Sequence, residues 1–209
     1  PARRLPYCEV FVPNNKEHIL FYPASYWPHK NHIFLIEFVK KYKEKNDFNY
    51  HFVFCGADKG NLSYLKEYVE RNSLDSFFTF HEFISNEELY RLYRKAMACV
   101  FPTLIGPDNL PPLEAMLLNC PVMVSNILGA TEQFSESALY FDPFEYDSFY
   151  NSLIKLNDFN FRSELIQKGF NLASSRSESA YIEQIDNVIK FAEGYINLSD
   201  YKNYKVKFK

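Results

Sequence analysis

The sequence predicts an α/β domain: a doubly wound, mostly parallel six-stranded sheet with further helices flanking it toward the C-terminus. Three observations predict it. Six short runs, each too brief for a helix and apolar on both faces as strands of a buried parallel sheet are, recur between residues 18 and 141. Segments of helical period separate them, and such alternation is solved economically by parallel strands joined through right-handed crossovers. After Phe141 the strand pattern stops and helical patterns alone follow.

The runs are His18–Tyr22, Tyr50–Cys55, Phe77–Phe80, Ala98–Phe101, Pro121–Val124 and Ala138–Phe141. Residues 31–45 set Ile33, Ile36 and Val39 on one stripe and end in lysines, which suit the negative end of a helix dipole. Leu62, Leu65 and Val69 mark a second helix. Ser85-Asn-Glu-Glu88 has the form of a capping box ahead of Leu89, Leu92 and Tyr93. Pro111 and Pro112 fit the first turn of a fourth helix, before Leu113, Met116 and Leu117. Tyr146–Leu156, Phe161–Ser174 and Glu178–Ala192 supply the flanking helices. The organisation is a lead-in over residues 1–17, a domain over 18–192, and a polar, aromatic tail over 193–209 that is expected to dock loosely.

Composition excludes several classes of function. With 23 Lys+Arg against 26 Asp+Glu, the net charge of −3 argues against a nucleic-acid-binding arm or a polybasic membrane anchor as the dominant feature. A chain of 209 residues can bury about 70% of its unfolded surface without staples. Cys8, Cys55, Cys99 and Cys120 fall singly in apolar runs, the pattern of buried reduced thiols in a cytosolic protein. The N-terminal residues lack a signal-peptide stretch and no run reaches the ~20 apolar residues of a membrane span, so a soluble chain is expected. The sequons at Asn61 and Asn197 read as chance in such a protein.

Only six glycines are present, so a multi-glycine phosphate loop is disfavoured. Gly56-Ala-Asp-Lys-Gly60 matches neither the dinucleotide nor the P-loop pattern, which argues against a dehydrogenase and an NTPase. No Asp-x-Asp occurs to hold a divalent metal on a diphosphate. In a doubly wound sheet ligands bind at the carboxyl ends of the strands, here residues 23–31, 56–60, 81–85, 102–110 and 125–131. The most distinctive stretch runs from Gly106 to Val122, where a loop enters a helix whose opening turn offers unpaired backbone N–H groups to an anion. Glu114 in that turn has two readings: an acceptor for ligand hydroxyls, or an acidic residue favourable at any helix N-terminus. His29 and His32 lack a third ligand and read as loop and helix-cap residues, not a metal pair.

Leu110-Pro-Pro-Leu-Glu-Ala115 followed by Pro121-Val122 resembles the signature of the family 4 (group 1) glycosyltransferases of GT-B fold. Tyr22-Pro-Ala-Ser-Tyr-Trp-Pro-His-Lys-Asn31, Phe80-His-Glu-Phe-Ile-Ser-Asn-Glu-Glu-Leu89, Gly129-Ala-Thr-Glu132 and Phe141-Asp-Pro143 continue the resemblance over most of the chain. It implies the C-terminal, donor-binding, Rossmann-like half of a GT-B enzyme. On that resemblance Lys30 contacts the donor diphosphate and Glu114 the ribose hydroxyls, and these two are the catalytic candidates. Ile84 lies against the base, and the backbone of Asn109 and Leu110 faces the phosphates or sugar. Ser25, Gly56 and Asp108 complete the donor-binding set. Two positions depart from the family pattern: Gly106 replaces the first acid of its Glu-x7-Glu pair, and Ser25 replaces an arginine. The acid's role is then vacant or passes to Asp108 or to main chain.

The resemblance further implies a retaining, metal-independent enzyme that moves a hexose from a nucleotide sugar to a glycan or lipid-linked acceptor, with no cofactor and no nucleic acid. The acceptor-binding N-terminal domain is expected to be missing from this chain. The implied location is the cytoplasm, at the inner membrane face, with peripheral membrane association of the full enzyme. Two rivals stand beside this reading: a GT-B-fold sugar-nucleotide epimerase, and a non-catalytic nucleotide-sugar-binding module.

Overall fold

Residues apolar on both faces form the strands, and because each strand is flanked by helices its backbone finds partners only in its neighbours. The computed structural model describes residues 9–10, 12–13, 16–45, 48–106, 110–176, 182 and 185–192. It contains β1 (Glu17–Pro23), β2 (His51–Cys55), β3 (Phe78–His81), β4 (Ala96–Phe101), β5 (Val122–Ser125) and β6 (Leu139–Phe141). All pair in parallel, in the order β3-β2-β1-β4-β5-β6. The order reverses between β1 and β4, which makes that junction the topological switch point, where open α/β sheets bind ligands. β4 is buried along its whole length.

The helices are α1 (His32–Tyr42), α2 (Leu62–Arg71), α3 (Asn86–Lys95), α4 (Leu110–Leu117), α5 (Ala130–Phe134), α6 (Tyr146–Ile154) and α7 (Phe159–Ser175). A 3-10 turn, Pro28–Lys30, precedes α1 and is joined to it by Asn31 in the left-handed conformation (φ 57°). Five-residue α5 escapes the sequence reading because it is too short to carry a stripe. The capping box of α3 is half-formed: Ser85 accepts from the Glu88 amide at 3.1 Å, whereas the Glu88 carboxylate turns to Arg91 at 2.6 and 2.7 Å. A guanidinium offers a carboxylate two charge-assisted bonds, more than a single backbone amide can.

Aromatic side chains fill the core. Phe34 and Phe38 of α1 meet Phe141 and Phe149 from β6 and α6, with Phe38 and Phe149 4.6 Å apart at 76°. Phe52, Phe54, Phe78 and Phe80 form a ladder across β2 and β3. Cys99 and Cys120 are buried, Cys55 partly so, and none of the three is in a disulfide. Burial pushes Cys120 up to about 11, keeping it a thiol at neutral pH. Cys8 lies outside the described residues. Lys16 is the anchored end of the lead-in: its buried ammonium donates to the Arg94 carbonyl (2.6 Å) and the Asn119 carbonyl (3.0 Å), tying together the ends of α3 and α4.

The chain divides into two compact units, Pro1–Ala173 and Ser174–Lys209. The first holds all six strands. In the second, residues 185–192 are helical and expose Ile185, Val188, Ile189 and Phe191. Residues 193–209 lie outside the described set. Among the described residues, no helix is long and apolar enough to cross a membrane.

Candidate functional site

The loops after β1, β2 and β3 are bonded into one ledge. Gly56 makes this possible, because a Cβ there would stand 2.2 Å from the Ala24 carbonyl oxygen and 2.6 Å from the Ser25 nitrogen. The Tyr26 amide donates to Ala57, while the Tyr26 hydroxyl and the Gly56 amide both donate to the His81 carbonyl. Asp58 accepts from the amides of Gly60, Asn61 and Leu62, so the second loop spends those donors on starting α2. These bonds hold the Asp58 carboxyl below its ordinary range.

Lys30 is placed by the turn before α1. The Tyr22 hydroxyl donates to the Lys30 carbonyl at 2.7 Å, and the Leu104 amide to the His29 carbonyl at 2.9 Å. The buried Thr103 hydroxyl lies 2.7 Å from the Ile105 carbonyl and 3.3 Å from that of His29. The loop after β4 is thus stitched to the loop after β1 across the switch point. The Lys30 ammonium sits 5.2 Å from the ring centre of Phe101, the last residue of β4. Partial burial lowers its pKa, the state of a cation that gains from an arriving anion. Beside it, burial and the Lys30 charge together lower the pKa of His29.

His32 begins α1, 1% exposed, between Tyr22 (4.5 Å), Tyr26 (5.0 Å) and Phe54 (5.2 Å). Burial pulls its pKa down to about 3 against a weaker pull from the Ala24 backbone, so the imidazole is neutral. Neither ring nitrogen makes a hydrogen bond of normal geometry. Among the described residues, no three His, Cys, Asp or Glu cluster as metal ligands would.

The N-terminus of α4 is poorer in donors than expected. It opens Leu110, Pro111, Pro112, Leu113; proline has no N–H and the Leu113 amide is the first to turn back into the helix, so among the described residues only the Leu110 amide remains for an anion. Glu114 falls just past this turn, half-buried; no ion pair to it forms among the described residues. The Tyr93 hydroxyl lies 3.2 Å from Glu114 Oε2 and 3.3 Å from the Pro111 carbonyl. Gly106, ahead of α4, has φ 101° and open space where a side chain would project. Asp108 and Asn109 lie outside the described residues. Ile84 packs against the core after β3, while neighbouring Phe83 is 85% exposed.

Lys30, Ser25, Gly56, Ile84, Leu110 and Glu114 therefore all lie at or just past the carboxyl edge of the sheet, Lys30 on one side of the switch point and α4 on the other. An open groove of about 420 Å³ beside edge strand β3, between Lys66, Glu70 and Asp75, lies away from them. Sequence reasoning missed Thr103 and Tyr93. Tyr93 looked like one more apolar stripe residue, and the available signal was that a buried tyrosine needs a partner for its hydroxyl.

A family model described as "Glycosyl transferases group 1" matches residues 8–190. The chain belongs to this family. It is 33% identical over 138 residues to the O-antigen chain mannosyltransferase RfbU of Salmonella typhimurium, a match covering 66% of this chain and 38% of that protein. It is 25% identical over 191 residues to O-antigen chain mannosyltransferase B of Escherichia coli, covering 91% and 50%. The chain thus spans half or less of the length of these curated relatives. Among solved structures, the C-terminal domain of the group 1 family protein LpcC from Francisella tularensis aligns with a TM-score of 0.65 at 21% identity, over 78% of this chain and 87% of that one. HepE of Anabaena in complex with UDP-glucose aligns at 0.69 and 20%, over 86% and 50%. This group 1 chain accordingly has the Rossmann-like fold of its GT-B neighbours, and the six-stranded sheet expected from its sequence is the sheet it has.

Proposed function

We propose that this chain is the donor-binding half of a retaining, metal-independent glycosyltransferase that takes a hexose, mannose foremost, from a nucleoside diphosphate sugar and passes it to a glycan or lipid-linked acceptor. The observation that carries this reading is Lys30, a partly desolvated ammonium held at the switch point against Phe101, the last residue of the strand that leads to α4. As the bond between sugar and diphosphate breaks, negative charge gathers on the phosphates. Lys30 and the Leu110 amide are preorganised donors for that charge. Glu114 accepts from the ribose hydroxyls, and Ile84 with exposed Phe83 offers an apolar seat to the base. Mannose is supported by the two mannosyltransferase relatives, and a nucleotide donor by the UDP-glucose complex of HepE. The acceptor and the remaining catalytic groups belong to the other half of the enzyme, at the cytoplasmic face of the membrane.

Calorimetric titration with UDP-, GDP- and ADP-sugars tests the reading. One of them is expected to bind, and Lys30→Ala to weaken it about 10- to 100-fold, the scale of a lost hydrogen bond to a charged group. Absence of binding by every member, or an unchanged affinity in Lys30→Ala, would sink it.

A further inference from the structure

Glu114 must do more than be present: a carboxylate that recognises vicinal hydroxyls has to hold one orientation, and three rotatable bonds separate it from the α4 backbone. We infer that Tyr93 is the positioning residue for Glu114, fixing its carboxylate so that Oε2 is spent on the protein and Oε1 is left for the hydroxyls of a nucleotide's ribose. The inference rests on the proposed donor site. The Tyr93 ring is fully buried on α3 and packs edge-on against Phe21 at 5.1 Å, so the hydroxyl cannot swing away. Its two polar neighbours, Glu114 Oε2 and the Pro111 carbonyl, are both acceptors, so the phenol can only donate, and to one of them at a time. Within α4 the Pro111 carbonyl already faces the amide one turn on, whereas a bond to the carboxylate is charge-assisted. Burial, with Glu114's charge acting in the same direction, holds the phenol's pKa well above its ordinary value, so the donor is permanent.

The test is calorimetry on the 209-residue chain with whichever of UDP, GDP and ADP binds tightest, and with its 2′-deoxy and 3′-deoxy counterparts. Wild type is expected to prefer the parent nucleotide about tenfold over a deoxy analogue. In Tyr93→Phe, which keeps the ring and its contact with Phe21, the preference should shrink to about twofold, through loss of parent affinity alone. Equal weakening of parent and analogues is what a merely structural hydroxyl would give, and that result, or an unchanged preference, overturns the inference. Glu114→Gln separates the two levels. If it abolishes the preference while Tyr93→Phe does not, only the role of Tyr93 is lost. If it leaves the preference intact, the ribose role of Glu114 fails and takes this inference with it.

Discussion

A neutral histidine enclosed by three aromatic rings is a liability in acid, and His32 is one such residue. Its folded pKa of about 3 lies below the ordinary 6.5, so between these values the unfolded chain binds the extra proton. Stability is therefore complete above pH 6.5 and falls as the pH drops toward 3, with about 2 kcal/mol lost by pH 5. Denaturant titrations at pH 7 and pH 5 should show that loss in wild type and its near-disappearance in His32→Phe; equal losses in both proteins would refute it. The Lys30 ammonium titrates below the ordinary 10.5, so nucleotide affinity should decline on the alkaline side before that value is reached, and should lose this limb in Lys30→Arg, whose charge persists. At this scale the sequence was only partly legible. Lys30 and Glu114 could be picked out because they sit in motif positions. Thr103 and Tyr93 could not, because their hydroxyls matter for what folding brings opposite them, the His29 carbonyl for one and the Pro111 carbonyl and Glu114 carboxylate for the other.

Among the elements, strands were the easiest to foresee, since runs apolar on both faces have few alternatives, and the observed strand ends fall within two residues of the expected ones. Short elements without periodicity, α5 and the turn at Pro28–Lys30, left no such trace. Helix α4 shows a subtler limit: the prolines that correctly announced its first turn also remove half of that turn's amides, so the signal for the helix works against the anion site inferred from it. The contact between the first two βα loops is the most sensitive to substitution. Gly56→Ala forces a methyl group into the Ala24 carbonyl and should cost about 1–3 kcal/mol, lowering Tm by about 5 °C while also weakening nucleotide binding, because the displaced loop carries Lys30. A thermal melt and a titration on the same sample check both effects. Unchanged behaviour in both would mean that the two loops do not need their close approach.

At the scale of the molecule, the described residues form one sheet with one switch point and so one ligand-binding edge, and the chain spans half or less of its mannosyltransferase relatives. Under the proposed function, the chain alone should bind a nucleotide sugar yet transfer nothing to an acceptor, with transfer appearing once the missing half is supplied. A radiolabelled-donor assay with and without that half reads this out, and transfer by the chain alone would contradict it. The left-handed backbone at Gly106 bears on how such an enzyme can change. A glutamate placed there would meet open space, yet it would have to hold φ near 101° at a cost of about 1–2 kcal/mol. Glycine and acid are therefore not neighbouring solutions in sequence space. An acid introduced here would bring its carboxylate together with a strained main chain, and relieving that strain would ask for a re-pitched loop as well as a new side chain.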